Sequence, residues 1–130
     1  MYTATTSDIK VTVFPTYLEG QSIAEDSYFV WAYTVQVENN SEHTVQLINR
    51  YWHITDANGQ VEEVSGPGVI GEQPLLKAGE SFQYTSGASL RTSSGIMQGH
   101  YEMLDGDDRQ FNVDIPAFSL DSTEQMKRPN

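Results

Sequence analysis

The stretch that decides the fold is residues 28–38, which read YFVWAYTVQVE. The even positions become polar from Thr34 onward, whereas the odd positions are all large and apolar: Phe29, Trp31, Tyr33, Val35 and Val37. Alternation with a period of two is typical of a β-strand that buries one face. The pattern therefore predicts a strand whose odd positions lie in the core, ending at Asn39-Asn40.

The same alternation recurs on both sides of this stretch. It predicts further strands ending at Pro15 and covering residues 44–56, 60–64, 81–85, 96–104 and 109–115. Asn58-Gly59 favours a tight hairpin between two of them. Within residues 44–56 the apolar positions change from odd to even near Ile48, which predicts a β-bulge or a switch of sheet. Pro116 marks a second change of phase.

About seven or more short strands without helical periodicity indicate an all-β fold, a two-sheet antiparallel sandwich of immunoglobulin or fibronectin-III type. Tyr101 stands two residues before Met103, which is the spacing of a tyrosine corner with Met in place of Cys. We expect one domain over residues 1–125 and a disordered tail at residues 121–130. The predicted core includes Phe29, Trp31, Tyr33, Val35, Tyr101, Phe111 and Val113.

The composition excludes several classes of function. Seven Lys and Arg stand against eighteen Asp and Glu, a formal net charge of −11, which disfavours binding to nucleic acid. The absence of cysteine rules out disulfides, a catalytic thiol and cysteine-based zinc sites. No apolar stretch approaches the roughly 18 residues needed to span a bilayer. We therefore expect a cytoplasmic protein with neither a membrane nor nucleic acid as its partner.

No catalytic motif stands out. The sequence lacks a Gly-x-Ser-x-Gly elbow, a Walker loop and a paired-carboxylate motif, and His43, His53 and His100 are isolated from one another. Residues 105–108, DGDD, are too short a run for an EF-hand, and turn chemistry alone explains them. We expect no enzyme activity, no cofactor and no metal site.

Two sets of residues are candidates for binding. Gly66, Gly68 and Gly71 match the dinucleotide string G-x-G-x-x-G, but Gln73-Pro74 follows where that motif requires a helix. The loop is then either a structural turn or a weak site for a small anion, with charge supplied by Arg50, Lys77 or Arg91. The second set is apolar and could contact another protein: Tyr28, Val30 and Trp52.

The chain resembles the ApaG family. The resemblance is carried by residues 49–56 (NRYWHITD), 63–74 (EVSGPGVIGEQP), 84–87 (YTSG), 95–101 (GIMQGHY) and 115–120 (IPAFSL). Asn49 and Tyr51 replace a more basic run of the family, and Ala78 stands where Pro is usual before Gly79. The resemblance implies a fibronectin-III or immunoglobulin-like sandwich without a known reaction.

The resemblance also implies a functional setting. Bacterial members are linked to cobalt resistance and magnesium efflux, and related domains occur in eukaryotic F-box proteins and in a DNA-polymerase-delta-interacting protein, where protein binding is the role. We therefore expect a non-catalytic module that binds another protein through a sheet edge or an apolar patch. The alternative is binding of pyrophosphate or a nucleotide at residues 66–71, tied to magnesium and cobalt homeostasis.

Overall fold

The computed structural model describes residues 1–122, which form nine β-strands and two single-turn 3₁₀ segments, Glu19–Gln21 and Ala24–Asp26. The strands are β1 (Tyr2–Thr6), β2 (Ile9–Tyr17), β3 (Phe29–Asn39), β4 (Val45–Asp56), β5 (Val61–Pro67), β6 (Leu75–Leu76), β7 (Ser81–Leu90), β8 (Ser94–Leu104) and β9 (Gln110–Asp121).

The strands form two antiparallel sheets, as the alternating pattern predicted. One sheet has the order β1-β2-β3-β7, and the other has the order β5-β4-β8-β9 with β6 paired to the start of β4. The grouping of β2, β3 and β7 opposite β4, β8 and β9 is the division of strands A, B and E from C, F and G in immunoglobulin-like sandwiches. The predicted fold class is therefore confirmed.

The core lies between the inner faces of the two sheets. The odd positions of β3 point inward, so that Trp31, Tyr33 and Val35 are almost completely buried. Tyr101 and Val113 face them from the second sheet and are fully buried, whereas Phe29 and Phe111 are only partly buried at the margin of the core. The predicted core is thus confirmed at its centre.

Two bulges reset the alternation. The register between β4 and β8 shifts between Leu47 and Asn49, where the sequence predicted a change of phase at Ile48. The register between β8 and β9 shifts opposite Pro116 and Ala117. The first bulge matters for the site, because it turns Arg50, Trp52 and Ile54 toward the other sheet.

Some elements differ from the sequence prediction. Strand β1 was not predicted, because its residues YTATT carry little apolar alternation, and β7 continues to Leu90 instead of ending at Thr85. Asp121 is the last residue of β9, and the Ser122 hydroxyl donates a hydrogen bond of 2.8 Å to the Ser93 carbonyl. The remaining residues of the predicted tail, 123–130, lie outside the described part of the chain.

The tyrosine corner inferred from the spacing of Tyr101 is wrong. In that motif the hydroxyl bonds to the backbone a few residues upstream. Here the hydroxyls of Tyr101 and Tyr84 form a buried hydrogen bond of 2.5 Å that joins the two sheets. Burial raises the pKa of both hydroxyls, and that of Tyr33 beside them, so all three are neutral at pH 7.

The two sides of the sandwich differ. On one side β1 covers the edge of β9: the Asp114 amide donates to the Thr6 hydroxyl, and the Tyr2 and Phe118 rings lie 6.0 Å apart. On the other side β5 and β7 are the edge strands of their sheets and do not pair with each other. No helix within residues 1–122 is long and apolar enough to cross a membrane.

Candidate functional site

Strand β7 presents a long free edge. It pairs with β3 over ten residues in an unbroken register, from Ser81 opposite Glu38 to Leu90 opposite Phe29. Its other edge pairs with no strand in the described part of the chain. The sequence of β7, SFQYTSGASL, contains neither a charged residue nor proline. It therefore lacks the features with which natural sheets usually prevent another strand from pairing at an edge.

A cleft of about 460 Å³ opens beside the end of β7, between β7 and β5. Its floor is apolar and is formed by Ile54 and Leu90, which are 8 and 9% exposed. Its walls include Tyr28 and Val61, which are 46 and 52% exposed. We call this space the distal cavity.

The cleft continues beneath the middle of β7 as a second space of about 230 Å³, the central cavity. Three residues line both cavities, namely Ile54, Glu62 and Ser89, so the two are contiguous. Tyr33 and Trp52 form the inner wall of the central cavity, and their rings meet edge to face at 5.3 Å. The central cavity is thus an opening onto the aromatic core between the sheets.

The three residues predicted to contact another protein fall in different places. Tyr28 is half exposed and lines the distal cavity, where it is accessible. Trp52 is not a surface residue: it is 3% exposed, because the bulge at Ile48 turns it into the core. Val30 is partly buried, and its backbone bonds to Leu18 and to the Ser22 hydroxyl.

The distal cavity is predominantly acidic. Its lining includes Asp26, Asp56 and Glu62 against a single cation, Arg91. Glu62 stands opposite Ile54 in the register of β4 and β5, and therefore faces the cleft, whereas its neighbour Glu63 faces outward and accepts a hydrogen bond of 2.7 Å from the Tyr51 hydroxyl. One carboxylate oxygen of Asp56 accepts hydrogen bonds from the backbone amides of Asn58 and Gln60 in the hairpin turn.

The glycine loop is a closed turn. Residues 69–72 form a tight turn in which Val69 and Glu72 exchange both backbone hydrogen bonds, while Ile70 and Gly71 have φ of 42 and 81°. Positive φ at both central positions is typical of a type I′ turn. Gly68 also has positive φ, 61°, and its amide donates to Ile48. The amides of Gly68, Val69 and Glu72 are therefore already used by the fold.

Of the cations proposed for this loop, the structure brings Arg50 to it. The Arg50 Nη1 atom donates to the carbonyls of Pro67 and Gly68 at 3.0 and 2.9 Å. A Cβ atom on Gly66 would lie 3.3 Å from both terminal nitrogens of Arg50, so this glycine leaves room for the guanidinium. Arg91 instead lines the distal cavity with Asp56, at the far end of β4. Arg91 therefore lies away from the glycine loop, which pairs with β4 near Arg50.

Two histidines that are distant in sequence line the same depression on the outer face of the second sheet. His53 and His100 lie on neighbouring strands, and His100 stacks on Tyr51 with ring centroids 5.1 Å apart. They line a shallow depression of about 550 Å³ together with Asp114. The Nδ1 atom of His53 is buried without a hydrogen-bond partner. The sequence could not reveal that both histidines line one depression, since this depends on the register between β4 and β8.

The acidic turn at residues 105–108 is occupied by its own backbone. The Asp105 carboxylate accepts hydrogen bonds from the amides of Asp107 and Arg109 at 2.8 and 3.0 Å. The bonds from Arg109 and Asp107 lower the pKa of Asp105, which keeps it ionised at neutral pH. Over residues 1–122 no group of three or more His, Asp or Glu side chains is placed to hold a metal ion.

Comparisons with known proteins agree with this architecture. The family model described as the ApaG domain matches residues 19–105. The chain is 62% identical over 130 residues to Protein ApaG of Sinorhizobium fredii, covering all of both chains, and 60% identical over 127 residues to that of Agrobacterium fabrum, covering 98% of each. A crystal structure of the ApaA protein from Bordetella pertussis superposes with a TM-score of 0.87 at 42% identity, covering 94% of this chain and 96% of the other. The chain therefore belongs to the ApaG family.

Proposed function

We propose that the protein is a non-catalytic binding module that takes an extended segment of another protein at the free edge of β7. The single observation that carries the proposal is that edge: ten residues in unbroken register, without charge or proline, with unpaired backbone groups on one side. An extended peptide that adds to such an edge gains main-chain hydrogen bonds, and pockets for its alternate side chains give specificity.

The other strands at the margins of the sheets are less suitable for strand addition. Strand β5 carries Glu62, Glu63 and Pro67, which disfavour pairing with another strand. Strand β9 contains Asp114 and Pro116 and is partly covered by β1, and β1 itself is only five residues long. Edge β7 is thus the longest uncharged and uncovered edge in residues 1–122.

The cleft beside β7 supports the same proposal. A strand added to β7 extends its sheet over the open side of the sandwich, so that its inward side chains enter the distal and central cavities. Those cavities expose Tyr28 and Val61 and open onto Trp52. Side chains of a bound segment would therefore cover apolar surface that the domain alone leaves in water.

The experiment is selection of a random dodecapeptide library displayed on phage against the purified domain and two variants. The double variant Gln83→Lys/Thr85→Lys puts two charges on exposed positions of β7 outside both cavities, and the double variant Thr3→Lys/Thr5→Lys puts the same two charges on exposed positions of β1. We expect peptides that bind the wild type and the β1 variant but lose at least tenfold in affinity for the β7 variant. Equal binding to both variants contradicts strand addition at β7.

Hydrogen exchange gives a second and more local measurement. In the free domain, the β7 amides bonded to β3 are protected, and the alternate amides that point away from β3 exchange quickly. A peptide that adds as a strand must slow exchange at the second set. Peptide binding that leaves the alternation of exchange rates in residues 81–90 unchanged would show that the peptide lies elsewhere.

A second candidate function is binding of a small anion beside the glycine loop. The observation in its favour is that Arg50 is half-buried, bonds only to carbonyls through Nη1, and pairs with no carboxylate in the described part of the chain. Most loop amides are already used, so affinity should be weak. Titration calorimetry with ATP and pyrophosphate tests this: a dissociation constant weaker than about 10 µM, or roughly −7 kcal/mol, is the expected result, and a tighter one contradicts the expectation of a weak site.

A further inference from the structure

We infer that the segment bound at β7 presents an apolar side chain and a Lys or Arg two residues apart, which enter the central and distal cavities respectively. This inference rests on the proposed function, because it assumes that the segment is an added strand. It goes further in naming the chemistry of the partner: a basic, β-forming segment of another protein.

The spacing follows from strand geometry. Successive side chains of a strand point to opposite faces, so residues that share a face are about 6.8 Å apart. Along β7 itself, the inward side chains Ala88 and Leu90 are two residues apart; Ala88 lines the central cavity and Leu90 the distal one. A neighbouring strand in register has the same repeat. Its inward side chains therefore reach the two cavities at a separation of two residues.

The central cavity is suited to one apolar side chain. Tyr33, Trp52 and Met97 form its inner wall, and all three are at most 5% exposed. Its volume of about 230 Å³ accommodates a branched aliphatic side chain or a single aromatic ring. Burial of such a side chain removes apolar surface from water and so favours the complex.

The distal cavity is suited to a cation. Asp26, Asp56 and Glu62 face it against Arg91, so three carboxylates stand against one guanidinium. The apolar floor of Ile54 and Leu90 can pack along the methylene stem of a Lys or Arg whose charged end reaches the carboxylates. The net charge of −11 adds long-range attraction for a basic segment.

The chain offers a matched pair of variants for the test. Glu62 and Glu63 are adjacent and both exposed, but Glu62 faces the cleft and Glu63 faces outward. Glu62→Lys and Glu63→Lys change the net charge equally. Only Glu62→Lys reverses a charge in the distal cavity. Thermal melts of both variants are the control for folding.

The probes are synthetic peptides with one face of defined chemistry. In TVTLTKTV and TVTKTLTV the Leu and the Lys share a face two residues apart, in both chain directions; in TVTLKTTV they lie on opposite faces, and TVTLTETV carries Glu. Fluorescein-labelled peptides are titrated by anisotropy. At least one of TVTLTKTV and TVTKTLTV should bind about fivefold more tightly than TVTLKTTV and TVTLTETV. Glu62→Lys should weaken the binding of that peptide about fivefold, whereas Glu63→Lys should leave it unchanged. Binding should also weaken as salt is raised.

Other outcomes overturn the inference and separate it from the proposed function. Peptides that depend on the β7 edge but show no preference for Lys over Glu leave strand addition standing and refute the assigned chemistry. Equal effects of Glu62→Lys and Glu63→Lys refute the role of the distal cavity. Basic peptides that bind equally well to the β7 double variant refute both proposals, since attraction to the acidic surface alone would then explain the binding.

Discussion

Replacing Gly68 with Ala tests whether the glycine loop serves the fold. The φ angle of Gly68 is 61°, a conformation in which an L-residue costs roughly 1–2 kcal/mol. A Cβ atom there would also overlap the carbonyl oxygen of Glu72 and lie 2.9 Å from its carbonyl carbon. That carbonyl accepts the Val69 amide at 2.8 Å and closes the turn, so it cannot move without weakening the bond.

The magnitude can be worked from these contacts. The backbone term is about 1 kcal/mol or slightly more, and disruption of one turn hydrogen bond adds about 1 kcal/mol. Displacement of the carbonyl from the added methyl adds a steric cost of the kind seen on overpacking, about 1 kcal/mol at the low end. We therefore expect Gly68→Ala to lower the free energy of unfolding by about 3 kcal/mol.

Gly71→Ala is the matched control, because its φ is also positive, 81°, but nothing lies within 4 Å of the added Cβ. It should cost only the backbone term, about 1 kcal/mol. The assay is urea denaturation followed by far-UV circular dichroism, with and without pyrophosphate. The reasoning is refuted if Gly68→Ala costs no more than Gly71→Ala, or if the difference between them appears only when pyrophosphate is present.

Three further measurements follow from the structure. Ile70→Asn should stabilise the protein by roughly 1 kcal/mol, because Ile70 is a β-branched residue at φ 42° with its side chain exposed; a loss of stability in the same urea assay would show that its contacts outweigh the backbone strain. Trp31→Ala should lower the free energy of unfolding by about 3–5 kcal/mol, because Trp31 is 1% exposed. Trp31→Phe should lower it less, because the indole nitrogen has no hydrogen-bond partner to lose. A loss below about 1 kcal/mol for Trp31→Ala would place Trp31 outside the core. The contribution of Tyr84 and Tyr101 to the free energy of unfolding should be constant below pH 10 and fall above it. Burial raises the pKa of both hydroxyls above the value of 10.0 that applies when unfolded, so the unfolded chain loses these protons first and is favoured at high pH. The double variant Tyr84→Phe/Tyr101→Phe should flatten this alkaline decline, and an unchanged pH profile would contradict the assignment.

Much of the fold could be predicted from short stretches of sequence. The alternation in residues 28–38 predicted which face of β3 is buried, because the side chains of a strand alternate between its faces. The change of phase at Ile48 predicted the bulge, and Asn58-Gly59 predicted the hairpin between β4 and β5. Strand β1 was missed, since its apolar residues are few and it is held by pairing with β2.

The candidate site could be predicted only in part. Tyr28, predicted to contact another protein, lies in the distal cavity, and Arg50, predicted to supply charge to the glycine loop, bonds to the Gly68 carbonyl. Trp52 was misplaced because the bulge in β4 determines where it points, and Arg91 follows the end of β7 and lines the distal cavity, not the glycine loop. A charge-free run at residues 81–90 was visible in the sequence, but nothing local indicated that it forms an edge.

The sequence by itself determined the all-β class, the central buried strand, the turns and the exclusion of thiol chemistry. These features depend on residue type and on the two-residue period of the strand backbone, both of which are local properties. Only the tertiary structure decided that β7 and β5 are neighbouring edges with a cleft between them, and that Glu62 faces that cleft while Glu63 does not. Which strand lies at an edge depends on hydrogen bonds between residues far apart in the chain, so no single strand encodes its own place in the sheet.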